Sequence, residues 1–376
     1  MPQIKPDIQT FAKIKVIGVG GGGGNAIARM MSCGIKGVNF VAVNTDVQAL
    51  HSNKALEKIH IGKILTKGLG SGMDPDIGSQ AAEESKEEIR ECLKGTDMVF
   101  ITYGLGGGTG TGAGHKIAEL AREEGALTVG VVTKPFSFEG AQRRRVAEEG
   151  LAELKNKVDT LIVIPNDRLL HIIDKKVSLL NAFGIVDDVL RQAVQGISDL
   201  IVYPGIINLD FADIKAVMEN AGPAIMGIGR AVGEDRAIEA ARAAISSPLL
   251  EFSIEGAKGI LFNVSGTQDM GMVEIAEAAK IITESADPDA KVIFGAVLDE
   301  KTKKGEIKIT VIATGFGEGF EQNQSQLSME EERKAPPTIE VEKKKTKKED
   351  KNEYKSPLSD DEDEWDIPAF IRKKMK

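Results

Sequence analysis

Two glycine runs, each set between a strand pattern and a helix pattern, limit the possible folds of this chain more than any other feature. The first is Gly18-Val19-Gly20-Gly21-Gly22-Gly23-Gly24-Asn25, and the second is Gly104-Leu105-Gly106-Gly107-Gly108-Thr109-Gly110-Thr111-Gly112. A loop that leaves the carboxyl end of a parallel strand and feeds a helix presents bare backbone N–H groups at the positive end of a helix dipole. Glycine lets that backbone approach a phosphate closely and take φ > 0. Thr109 and Thr111 add hydroxyl donors. One such turn is often only tight packing. Two on the ligand-binding edge of one sheet point to a polyphosphate ligand.

The surrounding pattern supplies that sheet. Short apolar runs at Lys13–Gly18, Val38–Val43, Asp97–Thr102, Leu127–Thr133 and Thr160–Ile164 alternate with helical stretches, among them one from Asn25 and a charged one over Phe138–Val158. This alternation predicts an α/β fold with a mostly parallel, Rossmann-like sheet covered on both faces. Residues 1–176 form the expected nucleotide-binding domain. A long helical pattern follows over 177–204, apolar around most of its wheel and stopped by Pro204-Gly205, as expected of a helix buried between two lobes. Residues 205–317 read as a second, smaller α/β domain, with helices near 211–220, 233–246 and 271–285 and strands near 224–230, 258–265, 291–298 and 306–313.

Beyond this domain the composition changes. Residues 318–364 are rich in Glu, Gln, Ser, Lys and Pro, with a basic EKKKTKK block and an acidic DDEDE block, and read as a disordered linker. Residues 365–376 restore apolar character in Trp365-Asp366-Ile367-Pro368-Ala369-Phe370-Ile371, the pattern of a docking peptide. A formal net charge of −9 argues against a general nucleic-acid binder. Cys33 and Cys92 are the only cysteines, too few for a disulfide scaffold or a four-thiolate zinc site, and they fit a reducing, cytoplasmic setting. No apolar run is long enough to span a membrane. His51, His60, His115 and His171 lack metal-ligand spacing, so no protein metal site is expected.

Two nucleotide folds remain to be told apart. Gly18-x-Gly20-x-x-Gly23 matches the dinucleotide fingerprint, which also wants an acid at the end of the second strand. Here that strand ends Asn44-Thr45-Asp46, which leaves an NAD(P)-dependent oxidoreductase open as an alternative. No Gly-x-x-x-x-Gly-Lys-Ser/Thr occurs, which excludes an ordinary P-loop. The local sequence also leaves two pairs of residues ambiguous. Phe183 and Asp187, four apart on one helix face, are either core and surface or a stacking ring with an acceptor for the N1–H and 2-amino groups of guanine. Asp210 and Asp213 are either a helix cap with a first-turn acid or a hydrolytic pair. The helix from Asp187 to Tyr203 spans roughly 24 Å. The acids beyond it would therefore act on a neighbouring copy's nucleotide, and a heterologous contact of that kind builds a filament.

GGGTGTG at 106–112 resembles the signature of the tubulin/FtsZ family of GTPases. GVGGGGGNAI (18–27), VNTDVQAL (43–50), VTKPFSFEGAQR (132–143), IPNDRLL (164–170), NLDFADI (208–214) and DIPAFIR (366–372) resemble motifs of its bacterial cell-division branch, in the same order. The resemblance implies a GTPase that polymerises head-to-tail and binds GTP/GDP with Mg2+ held mainly by the nucleotide, together with a monovalent ion such as K+. Gly21, Gly22 and Asn25 would hold phosphates, Gly70, Ser71, Gly72 and Met73 would approach the γ-phosphate, and Gly107, Gly108, Thr109, Gly110, Thr111 and Gly112 would wrap the α- and β-phosphates. Pro135, Glu139 and Arg143 would meet the ribose, and Asn166, Phe183 and Asp187 the guanine. Asp210 and Asp213 would polarise the attacking water, with Asn208 positioning their loop. Partners would be further copies of the chain and, through the terminal peptide, membrane-anchored adaptors, with no nucleic acid and no insertion into the membrane. The chain departs from the family pattern at Tyr103, at Gly114-His115 and at Ser71-Gly72-Met73-Asp74. A GTP-binding scaffold without turnover is the second alternative.

Overall fold

The computed structural model describes residues 12–170, 177–202, 207, 209–247, 253–298 and 302–316. His171, the Pro204-Gly205 stop, Asn208, the 318–364 linker and the 365–376 peptide lie outside the described residues. The strands are β1 (Ile14–Val19), β2 (Val38–Asn44), β3 (Glu57–His60), β4 (Met98–Gly104), β5 (Leu127–Lys134), β6 (Thr160–Pro165), β7 (Gly222–Val232), β8 (Gly259–Gly266), β9 (Lys291–Leu298) and β10 (Glu306–Thr314). The helices are α1 (Gly20–Ser32), α2 (Val47–Ser52), α3 (Pro75–Glu84), α4 (Lys86–Leu93), α5 (Gly108–Glu123), α6 (Ala141–Lys155), α7 (Asn166–Leu170), α8 (Leu179–Val202), α9 (Phe211–Met218), α10 (Arg236–Ile245) and α11 (Met272–Glu284).

The strands form one sheet in the order β3-β2-β1-β4-β5-β6-β7-β10-β8-β9. The pairings from β3 through β7 are parallel, as is β8 with β9, and β10 runs antiparallel between β7 and β8. The two regions separated in the sequence reading thus share one continuous sheet, joined where β6 pairs with β7 over Thr160–Ile162. Helices cover both faces, so β4 and β5 are buried almost throughout and read as unbroken apolar runs. Ala26, Ile27 and Met30 of α1 and Val189, Val194 and Ile197 of α8 fill one core, and residues of α3, α4, α5 and α6 fill the other. A third core lies between β8, β10, α10 and α11.

The strands fall within a residue or two of expectation, but some helices do not. α1 begins at Gly20 rather than Asn25, so most of the first glycine run is the opening of a helix. Glycine is a poor helix former, and packing explains its use here. A Cβ on Gly23 would stand 2.3 Å from the carbonyl oxygen of Thr102, so only glycine lets α1 start this close to β4. α6 starts at Ala141, after a 3₁₀ turn over Ser137–Glu139. The stretch containing α2, β3, α3 and α4 carried no expectation.

α8 is 24 residues long, roughly 36 Å of helix. At its start, the Phe183 ring meets Phe136, just beyond the end of β5, edge-on at 5.6 Å. At its end, Val202 packs on Gly37, just before the start of β2, where a Cβ would come within 2.3 Å of Val202 Cγ1. In a parallel sheet the end of one strand and the start of another lie on opposite edges. α8 therefore runs from the carboxyl edge of the sheet to its amino edge, and it touches Thr310 of β10 through Gly196 on the way.

Candidate nucleotide-binding site

The strand order reverses between β1 and β4, the position where open α/β sheets leave a crevice for ligand. Both glycine runs open there, each feeding a helix N-terminus, α1 from the first and α5 from the second. The loop before α3 closes the third side. A single hydroxyl ties the three together: Thr109 Oγ1 lies 2.6 Å from Thr45 Oγ1 at the end of β2 and 3.0 Å from Ser71 Oγ. Thr111 Oγ1 accepts the Gly106 N–H at 3.0 Å. Both threonines are buried, and their hydroxyls brace the loops from inside. The open face belongs to the backbone, since a Cβ at Gly21, Gly70, Gly72 or Gly107 would meet nothing within 4 Å. Gly22 lies against Gly104, and Gly108 and Gly110 are covered by Ser71 and Tyr103. Gly112 packs under α3, where a Cβ would stand 1.9 Å from the carbonyl oxygen of Pro75. Asn25 is exposed on α1.

Next to this cradle is an aromatic corner. Phe136 stacks on Phe138 at 5.0 Å, and Phe183 is 41% exposed at the rim. Phe136 follows the half-buried Pro135. Its N–H donates to Glu139 Oε1 at 2.9 Å, and Glu139 Oε2 pairs with Arg143 at 2.8 Å. Arg143 also packs on the second glycine loop, where a Cβ on Gly106 would come within 2.6 Å of its carbonyl oxygen. Asn166, at the start of α7, is 5% exposed, and its Oδ1 has no hydrogen-bond partner; nor does Arg143 Nε. Such buried, unpaired polar atoms are rare, and beside a cleft a ligand can complete their bonding. Asp187, one turn beyond Phe183, has its carboxyl pushed up to about 6 by burial, with Arg29 pulling it back down. Asp188 takes the closer arginine, Arg191, at 2.7 Å.

Asp46, the acid that a dinucleotide fold would direct at a ribose, caps α2 by accepting the N–H groups of Gln48 and Ala49. That removes the feature which kept the oxidoreductase alternative open. The family profile described as Tubulin/FtsZ family, GTPase domain, matches residues 13–174, and the one described as FtsZ family, C-terminal domain, matches residues 222–317.

The chain belongs to the tubulin/FtsZ family.

It is a GTPase of that family; the cradle and the Phe136–Arg143 side of the aromatic corner lie within the stretch matching the GTPase domain, and Phe183 and Asp187 lie just beyond its end. An FtsZ of M. jannaschii, solved as an empty dimer, is 48% identical, with a TM-score of 0.78, over 82% of this chain and 89% of its own. Two more distant structures share the fold: CetZ2 of Haloferax volcanii, a GTPγS-bound protofilament, at 20% identity and TM-score 0.68 over 85% of this chain and 99% of its own, and CetZ1 of the same organism, a GDP-bound monomer, at 22% and 0.69 with the same coverage.

Two departures from the family pattern prove to be one feature. The fully buried Tyr103 ring lies against α5, and a Cβ on Gly114 would stand 2.2 Å from its Cε1. The large residue at 103 requires the missing side chain at 114. At the third departure, Met73 holds φ at 66°, where a side chain costs about 1 kcal/mol. Asp210 and Asp213 form a reciprocal capping box on α9: Asp213 N donates to Asp210 Oδ1 at 2.8 Å and Asp210 N to Asp213 Oδ2 at 3.4 Å. Both are exposed. The far end of α9 is tied to the amino edge of the sheet, since Thr160 Oγ1 at the start of β6 donates to the Met218 carbonyl oxygen at 2.5 Å. Sequence reasoning did not single out Thr45, Phe136 or Arg29; Thr45 and Phe136 do lie inside quoted motifs. Among the described residues no helix is long and apolar enough to cross a membrane, and no group of three or more His, Cys, Asp or Glu side chains is placed to hold a metal ion.

Proposed function

We propose that this chain polymerises head-to-tail into filaments of the cell-division ring and hydrolyses GTP only where two copies meet. The reading rests chiefly on the course of α8. The helix starts at the aromatic corner and ends at the opposite edge of the sheet, so Asp210 and Asp213, which follow it, stand away from their own chain's cradle. On this reading residues 1–176 bind nucleotide, 177–204 connect and 205–317 supply the activating acids. The backbone at Gly21, Gly22, Gly70–Gly72 and Gly107–Gly112 holds the phosphates, with Asn25 beside them. Pro135, Glu139 and Arg143 line the ribose, and Asn166, Phe183 and Asp187 read guanine. The unpaired Asn166 Oδ1 and the hydrogen-bond capacity of Asp187 suit a base rich in N–H donors.

From the next copy, Asp210 and Asp213 orient and polarise the attacking water, with Asn208 supporting their loop. Phosphoryl transfer depends mainly on positioning and charge neutralisation. Mg2+ carried in by the nucleotide, with a monovalent cation such as K+, would supply the positive charge that offsets the carboxylates of Asp210 and Asp213. The linker 318–364 carries the 365–376 peptide to membrane-anchored adaptors, which hold filaments at the cytoplasmic side of the division site. The decisive measurement is GTPase rate against protein concentration, with light scattering followed in parallel. Specific activity should rise from near zero over the range where scattering appears. A rate per molecule independent of concentration would place the whole site in one subunit, and assembly without turnover would leave a non-catalytic scaffold.

A further inference from the structure

Away from the cradle, three reactive side chains from three different elements meet: Lys15 of β1, Glu57 of β3 and Cys92 of α4. Lys15 Nζ donates to Glu57 Oε2 at 2.8 Å and lies 3.5 Å from Cys92 Sγ. Cys92 Sγ lies 3.5 Å from the same carboxylate oxygen, so each group touches the other two. The Lys15 side chain is 14% exposed and that of Glu57 45%, with Cys92 half-buried. The amine is therefore held in place while a small oxidant reaches the sulfur from solvent. An ion pair between Lys15 and Glu57 needs no third partner. A thiol seated against both supplies what an oxidative bond requires: a nucleophilic sulfur, a nitrogen within reach, and one base that touches both.

We propose that Cys92 and Lys15 are joined by peroxide into a covalent bridge, Sγ–O–Nζ, that staples α4 to β1. Cys92 first gives its proton to Glu57, and its sulfur attacks a peroxide oxygen. The O–O bond breaks, and sulfenic acid and water are left, the sulfur having lost two electrons to the peroxide. Lys15 gives its ammonium proton to solvent, and a second peroxide takes two more electrons as the sulfenic oxygen bonds to the neutral Nζ. The sulfenic hydrogen and one amine hydrogen leave with its two oxygens as two waters. In total, thiol, amine and two peroxides give the bridge and three waters. Both partners start protonated. Burial raises the Cys92 thiol, with Lys15 opposing, and for Lys15 the pull of Glu57 and Cys92 outweighs burial and raises the ammonium. The reaction therefore runs faster as pH rises. Lys15 sits near the start of β1, away from the glycine loop that follows Val19, so the bridge leaves GTP binding intact.

The test treats the full-length protein with hydrogen peroxide at pH 7 and pH 9 and maps its peptides by mass spectrometry. The expected product links the peptide holding Cys92 to the one holding Lys15, heavier than their sum by one oxygen and lighter by two hydrogens. It forms several-fold faster at pH 9 and comes apart in dithiothreitol, and the linked protein melts at a higher temperature. Lys15→Arg abolishes it, and Glu57→Gln slows it several-fold. Oxidation of Cys92 to sulfenic or sulfinic acid with Lys15 left free overturns the proposal, as does a linked pair lacking the oxygen. If Lys15→Arg fails to fold, the peptide map of the unsubstituted chain still decides.

Discussion

Replacing Gly114 by alanine tests whether packing or local propensity governs the helix under the phosphate loop. In an isolated helix the change should stabilise by about 1 kcal/mol. Here the new methyl would stand 2.2 Å from Cε1 and 2.4 Å from Cζ of Tyr103, a ring with no exposed surface. The ring is fully buried, so it cannot swing out into solvent to make room. Overpacking a filled core costs about 1–3 kcal/mol, and contacts this short belong at the upper end. The net expectation for Gly114→Ala is a loss of about 2 kcal/mol, opposite in sign to propensity. Tyr103→Ala should cost roughly 3–5 kcal/mol by opening a cavity. In that background Gly114→Ala should turn stabilising by about 1 kcal/mol, because its methyl enters vacated space. The four proteins form a cycle whose coupling, about 3 kcal/mol, is large for two contacting residues. Urea midpoints followed by circular dichroism measure it. A stabilising Gly114→Ala in the unsubstituted background, or additivity within about 0.5 kcal/mol, would refute the packing argument. Tyr103→Phe is the companion: the hydroxyl is buried without a partner, and its removal should be neutral or stabilising by up to about 1 kcal/mol.

Asp187 must be ionised to accept two donors from guanine. With its carboxyl pushed up to about 6 by burial, GTP affinity should fall as pH drops through 6, whereas Asp187→Asn should bind weakly with only the phosphate's own pH dependence left; calorimetry on both proteins separates the two titrations. Its effect on the fold has the opposite sign, because a carboxyl whose folded pKa is raised removes stability as pH climbs from about 4 to 6. Asp210→Asn keeps a capping acceptor, so it should melt within a few tenths of a kcal/mol of the parent while hydrolysis by the polymer falls on the order of a hundredfold. Asp210→Ala should in addition lose about 1 kcal/mol of stability, and a fully active Asp210→Asn in the GTPase assay would reduce the aspartate to a helix cap. Removing residues 365–376 should leave filament mass and GTPase rate near the parent's values while abolishing co-sedimentation with adaptor-bearing vesicles; loss of assembly would contradict the docking role.

The sheet, its strands, the long helix and the position of the cradle are legible in the sequence because each rests on a local signal. A strand buried on both faces must be an apolar run, and a glycine run after it can only be a turn or a helix start with bare N–H groups. Asp210 as the cap of α9 was one of two readings that the spacing left open, and the folded chain shows the cap. The stretch from Val47 to Leu93 was not legible. β3 is a four-residue edge strand with only Ile59 buried, and α2 is a six-residue helix with only Leu50 buried, so neither shows a period. What no single stretch contains is the fit between stretches. Thr109 meets Thr45 and Ser71 from positions 64 and 38 residues away, a contact that no local signal announces. Tyr103 and Gly114 each read as an isolated oddity until strand and helix are pressed together. The joining of two apparent lobes into one sheet rests on the pairing of β6 with β7, which lie on either side of α8. Periodicity and turn chemistry are carried by neighbours along the chain, whereas close packing is decided by which surfaces meet, and only the folded chain brings those surfaces together.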